Sequence, residues 1–426
     1  MNPDRPDDDT LVATLPNGVR VVAIRTPQVE TASVGVYMRT GSAHERRALS
    51  GISHVVEHMV FKGTRRRDAR RINFDAESLG AEVNAHTDKD HTAFHMRGLA
   101  EHAGAQLHML AELVQQPTFP EDELERERAV LLQEFTETED DPVNTAFELF
   151  DRACFGLHPV AQPVIGTRGN IGRFTRAELL GHVARQYTAA NTVVGVAGAI
   201  DPDAIVREAL AAFGAMPGGA PNRVDAATYV GGLRLRRHVG SSQTHMVLGF
   251  PLPTLHDESA AGPMAAALFG EGMSSPLLDS LRERHGLAYY VACSADQFDM
   301  AGQFVIEASL APDRLGDALR ESMRLLAAQA GSIDAADLER ARRQTMVRQL
   351  HAQQKPLRRI EDAALELFVH GRVRSHAERL MRLRAVEGEA VRAVFERMLL
   401  AGPSLALTGA LARGAREAAG QALSAG

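Results

Sequence analysis

The stretch "HVVEH" at residues 54–58 holds the residues best suited to chemistry. Its surroundings are apolar at Ile52, Val55, Val56, Met59 and Val60, a helical spacing with no Gly or Pro inside. On such a helix His54 and His58 lie about 40° apart and one turn from each other, with Glu57 on the flank of the same arc. Two imidazoles so placed can hold one zinc ion while the carboxylate reaches a water on the metal. H-x-x-E-H is the inverted form of the zincin signature. The pattern is short enough to arise by chance, and a zinc hydrolase needs a third protein ligand. That ligand must be an Asp, Glu or His from another element. The helical segment "FPEDELERERAVLLQEF" offers Glu127 and Glu134, seven apart and so on one face.

The elements that position these groups belong to a duplicated chain. "NGVRVVAIRTPQVETASVGVYMRTGSAHE" (17–45) has the rhythm of "GGLRLRRHVGSSQTHMVLGFPLPTLHDE" (231–258). "LERERAVLLQEF" resembles "LERARRQTMVRQL" at a spacing of 214 residues, and "NTVVGVAGAID" resembles "SLALTGALARG". Half the chain is thus repeated, with the Gly/Pro-rich "GAMPGGAPNR" (214–223) between the copies. The boundaries expected are 1–214 for a zinc-binding domain, 215–228 for a linker and 229–426 for a second domain. Each copy opens with two strands close together and continues with long amphipathic helices. That order predicts an α+β fold in which each domain is a mostly antiparallel sheet with helices packed on one face.

Composition narrows the class. The 426 residues are 45% hydrophobic and 24% charged, an ordinary globular balance for a chain of two or three domains. The net charge of −7 is spread along the chain, which argues against a nucleic-acid partner. Cys154 and Cys293 are far apart and no disulfide framework is expected. With no apolar h-region at the N-terminus and no run long enough to span a bilayer, the expectation is a cytoplasmic protein without membrane attachment. "FGEGMSS" (269–275) lacks the further glycines or lysine of a nucleotide loop and reads as a tight turn.

From these segments the chain resembles the pitrilysin/insulinase-type (M16) zinc metallopeptidases, the mitochondrial processing peptidase-like subgroup in particular. Glu134 falls 76 residues beyond His58, in "LLQEFTETEDDP", where the family has its ligand glutamate. "LPNGVRV", "GSAHE", "FKGT", "GAEVNAHTDKDHTAFH", "HPVAQPVIGT" and "GEGMSSPLLDSLRERHGLAYYV" resemble further family segments in order. The resemblance implies the LuxS/MPP-like metallohydrolase fold and one zinc (Zn2+) per chain held by His54, His58 and Glu134. It implies Glu57 as general base, Glu127 as the group that orients the site, and Arg282 and Tyr289 as donors that polarise the substrate. Asn84 and Ala85 would line the cleft beside the metal. The implied substrate is a peptide or unfolded protein segment added as a strand and cut in a chamber between domains or subunits. A homodimer is expected, with a heterodimer with a related chain as the alternative; a non-catalytic core-subunit-like binding protein is a further one.

Two details of the sequence bear on this reading. At the 214-residue spacing Glu127 and Glu134 fall on Ala341 and Arg348, and aligning "VFKG" (60–63) with "LFGE" (268–271) places the two histidines near Gly262 and Ala266, so the second copy lacks the metal set. His86, His91 and His95 lie near the substrate strand. Counted along one strand, His86 faces away from His91 and His95, so no second metal site is expected there.

Overall fold

The repeat is visible in the order of the strands. The computed structural model describes residues 3–424. In the first half the strands are β1 (Asp4–Asp7), β2 (Thr10–Thr14), β3 (Arg20–Arg25), β4 (Thr31–Met38), β5 (Glu82–Thr87), β6 (Thr92–Leu99) and β7 (Thr192–Gly198). They form one sheet in the order β1-β2-β3-β7-β4-β6-β5. The second half contributes β8 (Gly232–Arg237), β9 (Thr244–Pro251), β10 (Ala288–Gln297), β11 (Gly302–Leu310) and β12 (Ser404–Gly409), in the order β10-β11-β9-β12-β8. Read from the other end, the second order repeats the first from β3 to β5. Each sheet has one parallel pair, β3 with β7 and β8 with β12, and is otherwise antiparallel. The mostly antiparallel α+β architecture is therefore as expected.

Strands β3, β4 and β7 read as nearly continuous apolar runs because both faces of the first sheet are covered. Val21 and Ala23 of β3 join the core on one side, with Val56, Leu107, Leu179 and Phe213 from helices of the same half. Val22 and Ile24 join the core on the other side, where the partners are Ile360, Ala364, Leu367 and Phe368 of the helix Pro356–His370. At Gly195 a Cβ would lie 2.7 Å from Cβ of Ile360, so this close approach requires glycine. Helices of the same half do pack on one face. The opposite face is covered by a helix from late in the sequence.

The second sheet is built in the same way. Phe269, Phe304 and Phe395 meet at its centre with ring centroids 5.9–6.0 Å apart, in the tilted and edge-on arrangements aromatic rings prefer. Its other face takes the helix Pro142–Phe155: Thr408 Oγ1 donates to the Pro142 carbonyl at 2.5 Å, and a Cβ on Gly249 would run into the Phe150 ring.

The compact units are accordingly not the contiguous halves 1–214 and 229–426. One comprises Met1–Phe135, Pro163–Val224 and Leu350–His376; the other comprises Thr136–Gln162, Asp225–Gln349 and Ala377–Gly426. The helices Pro142–Phe155 and Pro356–His370 start 214 residues apart, so equivalent elements of the two copies are reciprocally exchanged. The units change over between Val224 and Asp225, inside the stretch 217–231, which has no regular structure. Among the described residues no helix is long and apolar enough to cross a membrane.

Candidate metal centre

His54, Glu57 and His58 stand on the helix Ile52–Val60, whose first turn is fixed unusually firmly. Gly51 precedes it at φ 96°, in the left-handed region, and a Cβ there would lie 2.8 Å from Cα of Gly166. The free backbone N–H groups at a helix start need acceptors. Here the buried Glu45 supplies both: Oε2 accepts from Gly51 N and Oε1 from Ser53 N, each at 2.7 Å. Burial pushes the Glu45 carboxyl up to about 7 despite these two donors. With Ile52, Val55, Val56 and Met59 in the core, the two histidines are left on the arc that faces the helix Glu121–Asp140.

That second helix is anchored by Leu124 and Leu131, seven apart, and presents Glu127 and Glu134. Nε2 of His54 lies 3.6 Å from Oε1 of Glu134, and Nε2 of His58 lies 3.6 Å from Oε2. One donor atom from each of the three residues can be chosen so that all lie within 4.8 Å of one another. Two imidazole nitrogens and a carboxylate oxygen at these separations are the donor chemistry of a zinc ion with a position left for water. Nδ1 of His58 meets Oε1 of Glu127 at 2.9 Å, so the proton sits on Nδ1 and the Nε2 lone pair points to the centre. Burial raises the Glu127 carboxyl, but Lys62, with Nζ 2.5 Å from Oε2, and His58 outweigh it and hold it below the usual range. Burial, then the neighbouring His58, lowers the His54 imidazole to about 4, which keeps its ring neutral, the form a metal requires.

Glu57 sits beside this centre. Thr87 Oγ1 on β5 donates to its Oε2 at 2.6 Å. Burial raises the Glu57 carboxyl, against the opposing pull of Thr87, His58 and His86. Five residues singled out from the sequence, His54, Glu57, His58, Glu127 and Glu134, thus converge in one unit. Thr87, Glu45 and Lys62 join them although their types alone gave no signal; only their nearness to "HVVEH" and "NAH" could have marked them.

β5, which carries Asn84 and Ala85, pairs with β6 alone and forms an edge of the sheet. Ala85 packs towards the core on the Glu57 side, while Asn84 is exposed. Arg282 and Tyr289 belong to the other unit. Arg282 lies on the turn of helix Asp279–Arg284 with its Nε 3.7 Å from Glu283, and Tyr289, near the start of β10, is 81% exposed.

One expectation fails. His86, His91 and His95 share a face, because β5 and β6 pair with His86 opposite Ala93. Residues directly opposite in an antiparallel pair point the same way, and His91 and His95 flank Ala93 at two residues on either side. The chain is not one continuous strand here: a turn at 88–91, closed by Asp88 N donating to the His91 carbonyl, changes the parity.

A duplicated α+β chain that brings two histidines and a glutamate together from two helices of its first copy has the donor set of the inverted-zincin class in one half. Comparison with known proteins narrows the class to a family. Residues 20–168 match the model of insulinase (peptidase family M16), and residues 173–345 match that of the peptidase M16 inactive domain. An uncharacterized zinc protease of Rickettsia bellii is 31% identical over 373 residues, covering 86% of this chain and 89% of the relative. One from Mycobacterium leprae is 36% identical, covering 75% and 73%. One from Bacillus subtilis is 31% identical, covering 78% and 81%. Among solved structures, a peptidase M16 inactive domain from Pseudomonas fluorescens superposes with a TM-score of 0.86 at 21% identity, covering 95% of this chain and 99% of that one. A protease from Helicobacter pylori does so with a TM-score of 0.85 at 20% identity, covering 93% and 98%. The chain belongs to the insulinase family of peptidases, M16.

Proposed function

We propose that this chain is a zinc-dependent endopeptidase acting on peptides or unfolded segments, with Glu57 as the group that moves the proton. The observation that carries this reading is the convergence of three metal-donor side chains with a half-buried carboxylate held by a threonine hydroxyl. His54, His58 and Glu134 would hold the ion. Zinc, when bound, supplies the Lewis acidity that activates water and polarises a carbonyl. With Oε2 occupied by Thr87, Oε1 of Glu57 is the atom placed to take a proton from the attacking water and return it to the leaving amine. The raised affinity of Glu57 for a proton suits it to both halves of that transfer. The edge strand β5 offers main-chain groups to a substrate added as a strand. The assignment of Arg282 and Tyr289 as oxyanion donors, and of a second copy of the chain as partner, belongs to this proposal too.

The test is incubation with a mixture of unstructured peptides, read by mass spectrometry, for wild type and Glu57→Gln. Chelator-sensitive cleavage by wild type and its near loss in a Glu57→Gln protein that still binds zinc support the proposal. Cleavage that survives in Glu57→Gln refutes the assigned base.

A further inference from the structure

His86, His91 and Glu361 form a second group of metal donors, on the face of the first sheet opposite Glu57. One ligand atom from each can be chosen so that all lie within 4.8 Å of one another. Nε2 of His86 is 3.1 Å from Oε1 of Glu361, and Nε2 of His91 is 3.8 Å from the same oxygen. These separations bracket the 3.6 Å found between donors at the His54–His58–Glu134 centre. Both nitrogens converge on one carboxylate oxygen, while Oε2 of Glu361 is taken by Arg358 at 3.2 Å. Among the described residues these two groups are the sets of three or more His, Cys, Asp or Glu side chains with such spacing.

The state of His91 points to a missing ligand. Its side chain is 5% exposed, and its Nε2 is buried with no hydrogen-bond partner; the 3.8 Å to Glu361 is beyond hydrogen-bonding reach. An unpaired buried nitrogen is costly and calls for an explanation. Its other nitrogen, Nδ1, contacts Oδ1 of Asp90 at 2.8 Å. A carboxylate on Nδ1 with an unpartnered Nε2 near two other donors is the arrangement that orients a metal-binding histidine. His86, with 41% of its side chain exposed, gives the entry path and room for water.

We propose that His86, His91 and Glu361 bind a divalent transition-metal ion, zinc or a similar borderline cation, distinct from the one at His54, His58 and Glu134. Two imidazoles and one carboxylate select such ions over magnesium or calcium, which prefer oxygen. Its ligands come from β5, from the turn leading into β6 and from the helix Pro356–His370. A bound ion would fasten the free edge strand to that helix, one residue from the Thr87 that holds Glu57.

The test separates the two centres. Apo protein is titrated with zinc and its bound metal measured by elemental analysis after gel filtration; cobalt absorption gives a second readout. His54→Ala/His58→Ala protein is expected to retain about one equivalent of zinc and to melt at a higher temperature when zinc is added. Adding His86→Gln, a change at a half-exposed side chain, or Glu361→Gln is expected to remove that equivalent. Circular dichroism of the metal-free proteins verifies that each variant is folded. The proposal is overturned if folded His54→Ala/His58→Ala protein binds no zinc, in which case His91 is a buried cation paired with Asp90 and Glu361. It is equally overturned if the residual equivalent survives His86→Gln.

Discussion

Replacing Glu127 by alanine isolates what the carboxylate behind His58 does for the metal. The side chain is 9% exposed and bridges Nδ1 of His58 at 2.9 Å and Nζ of Lys62 at 2.5 Å. Removing it frees the His58 ring to rotate or to move its proton to Nε2, and it leaves the Lys62 ammonium facing the site unpaired. Loss of a group in this position lowers metal affinity by about 10–100-fold, or about 1.4–2.7 kcal/mol. The buried, two-partner geometry places Glu127→Ala toward the upper end. Glu127→Gln keeps an oxygen for His58 Nδ1–H and loses only the charge opposite Lys62, so a loss of less than about tenfold is expected. The assay is a zinc competition titration against a chromophoric chelator, run in His86→Gln protein so that a single centre is measured. A dissociation constant for Glu127→Ala within roughly twofold of its parent would refute the claim that Glu127 sets the His58 donor.

Two other perturbations test the support around the site. In the folded chain burial, chiefly, holds the His182 imidazole at about 3, against 6.5 without it. The unfolded chain therefore takes up a proton that the folded chain refuses: this contribution to stability is complete above about 6.5 and declines as pH falls toward 3, by about 1.4 kcal/mol per pH unit. Between pH 6.5 and 5 that is roughly 2 kcal/mol, so urea melts should show His182→Leu losing less stability than wild type on acidification; parallel losses would sink the argument. Gly51→Ala places a Cβ 2.8 Å from Gly166 Cα at a left-handed residue. The conformation alone costs about 1–2 kcal/mol, so denaturant melts should show a loss above that range and a weaker zinc affinity. Gly169→Ala, where a Cβ meets nothing within 4 Å, is the control; an equal effect there would show that crowding at Gly51 is not the cause.

Much of the centre was legible because its signals are local. The four-residue spacing of His54 and His58 and the seven-residue spacing of Glu127 and Glu134 each place two groups on one helix face, whatever the rest of the chain does. The repeat was legible for a similar reason: β3 with β7 and β8 with β12 are built from segments whose apolar rhythm survives duplication. What escaped depends on choices made far away in sequence. The side on which His86 lies follows from a four-residue turn and the register of β5 against β6, not from strand alternation. Glu361, 275 residues beyond His86, joins it only because the helix Pro356–His370 covers the first sheet. That helix and Pro142–Phe155 carry similar amphipathic patterns, and nothing in either pattern states which sheet it will cover.

The exchange of those two helices sets a timetable for synthesis on the ribosome. When the chain has been made as far as Val224, all seven strands of the first sheet exist, but its second apolar face, with Val22, Ile24, Tyr37, Val193 and Ala197, has no cover. The cover ends at His370, some 150 residues later. At about 5–20 residues per second the nascent sheet waits roughly 7–30 s with that face open to water. Such a surface invites binding by a chaperone or pairing with another nascent chain. The early helix Pro142–Phe155 waits longer still, since β12 appears only at Ser404–Gly409. Genes cut at the linker would each encode a half whose sheet lacks its second cover. The two fragments should therefore be soluble when expressed together and aggregate when expressed apart.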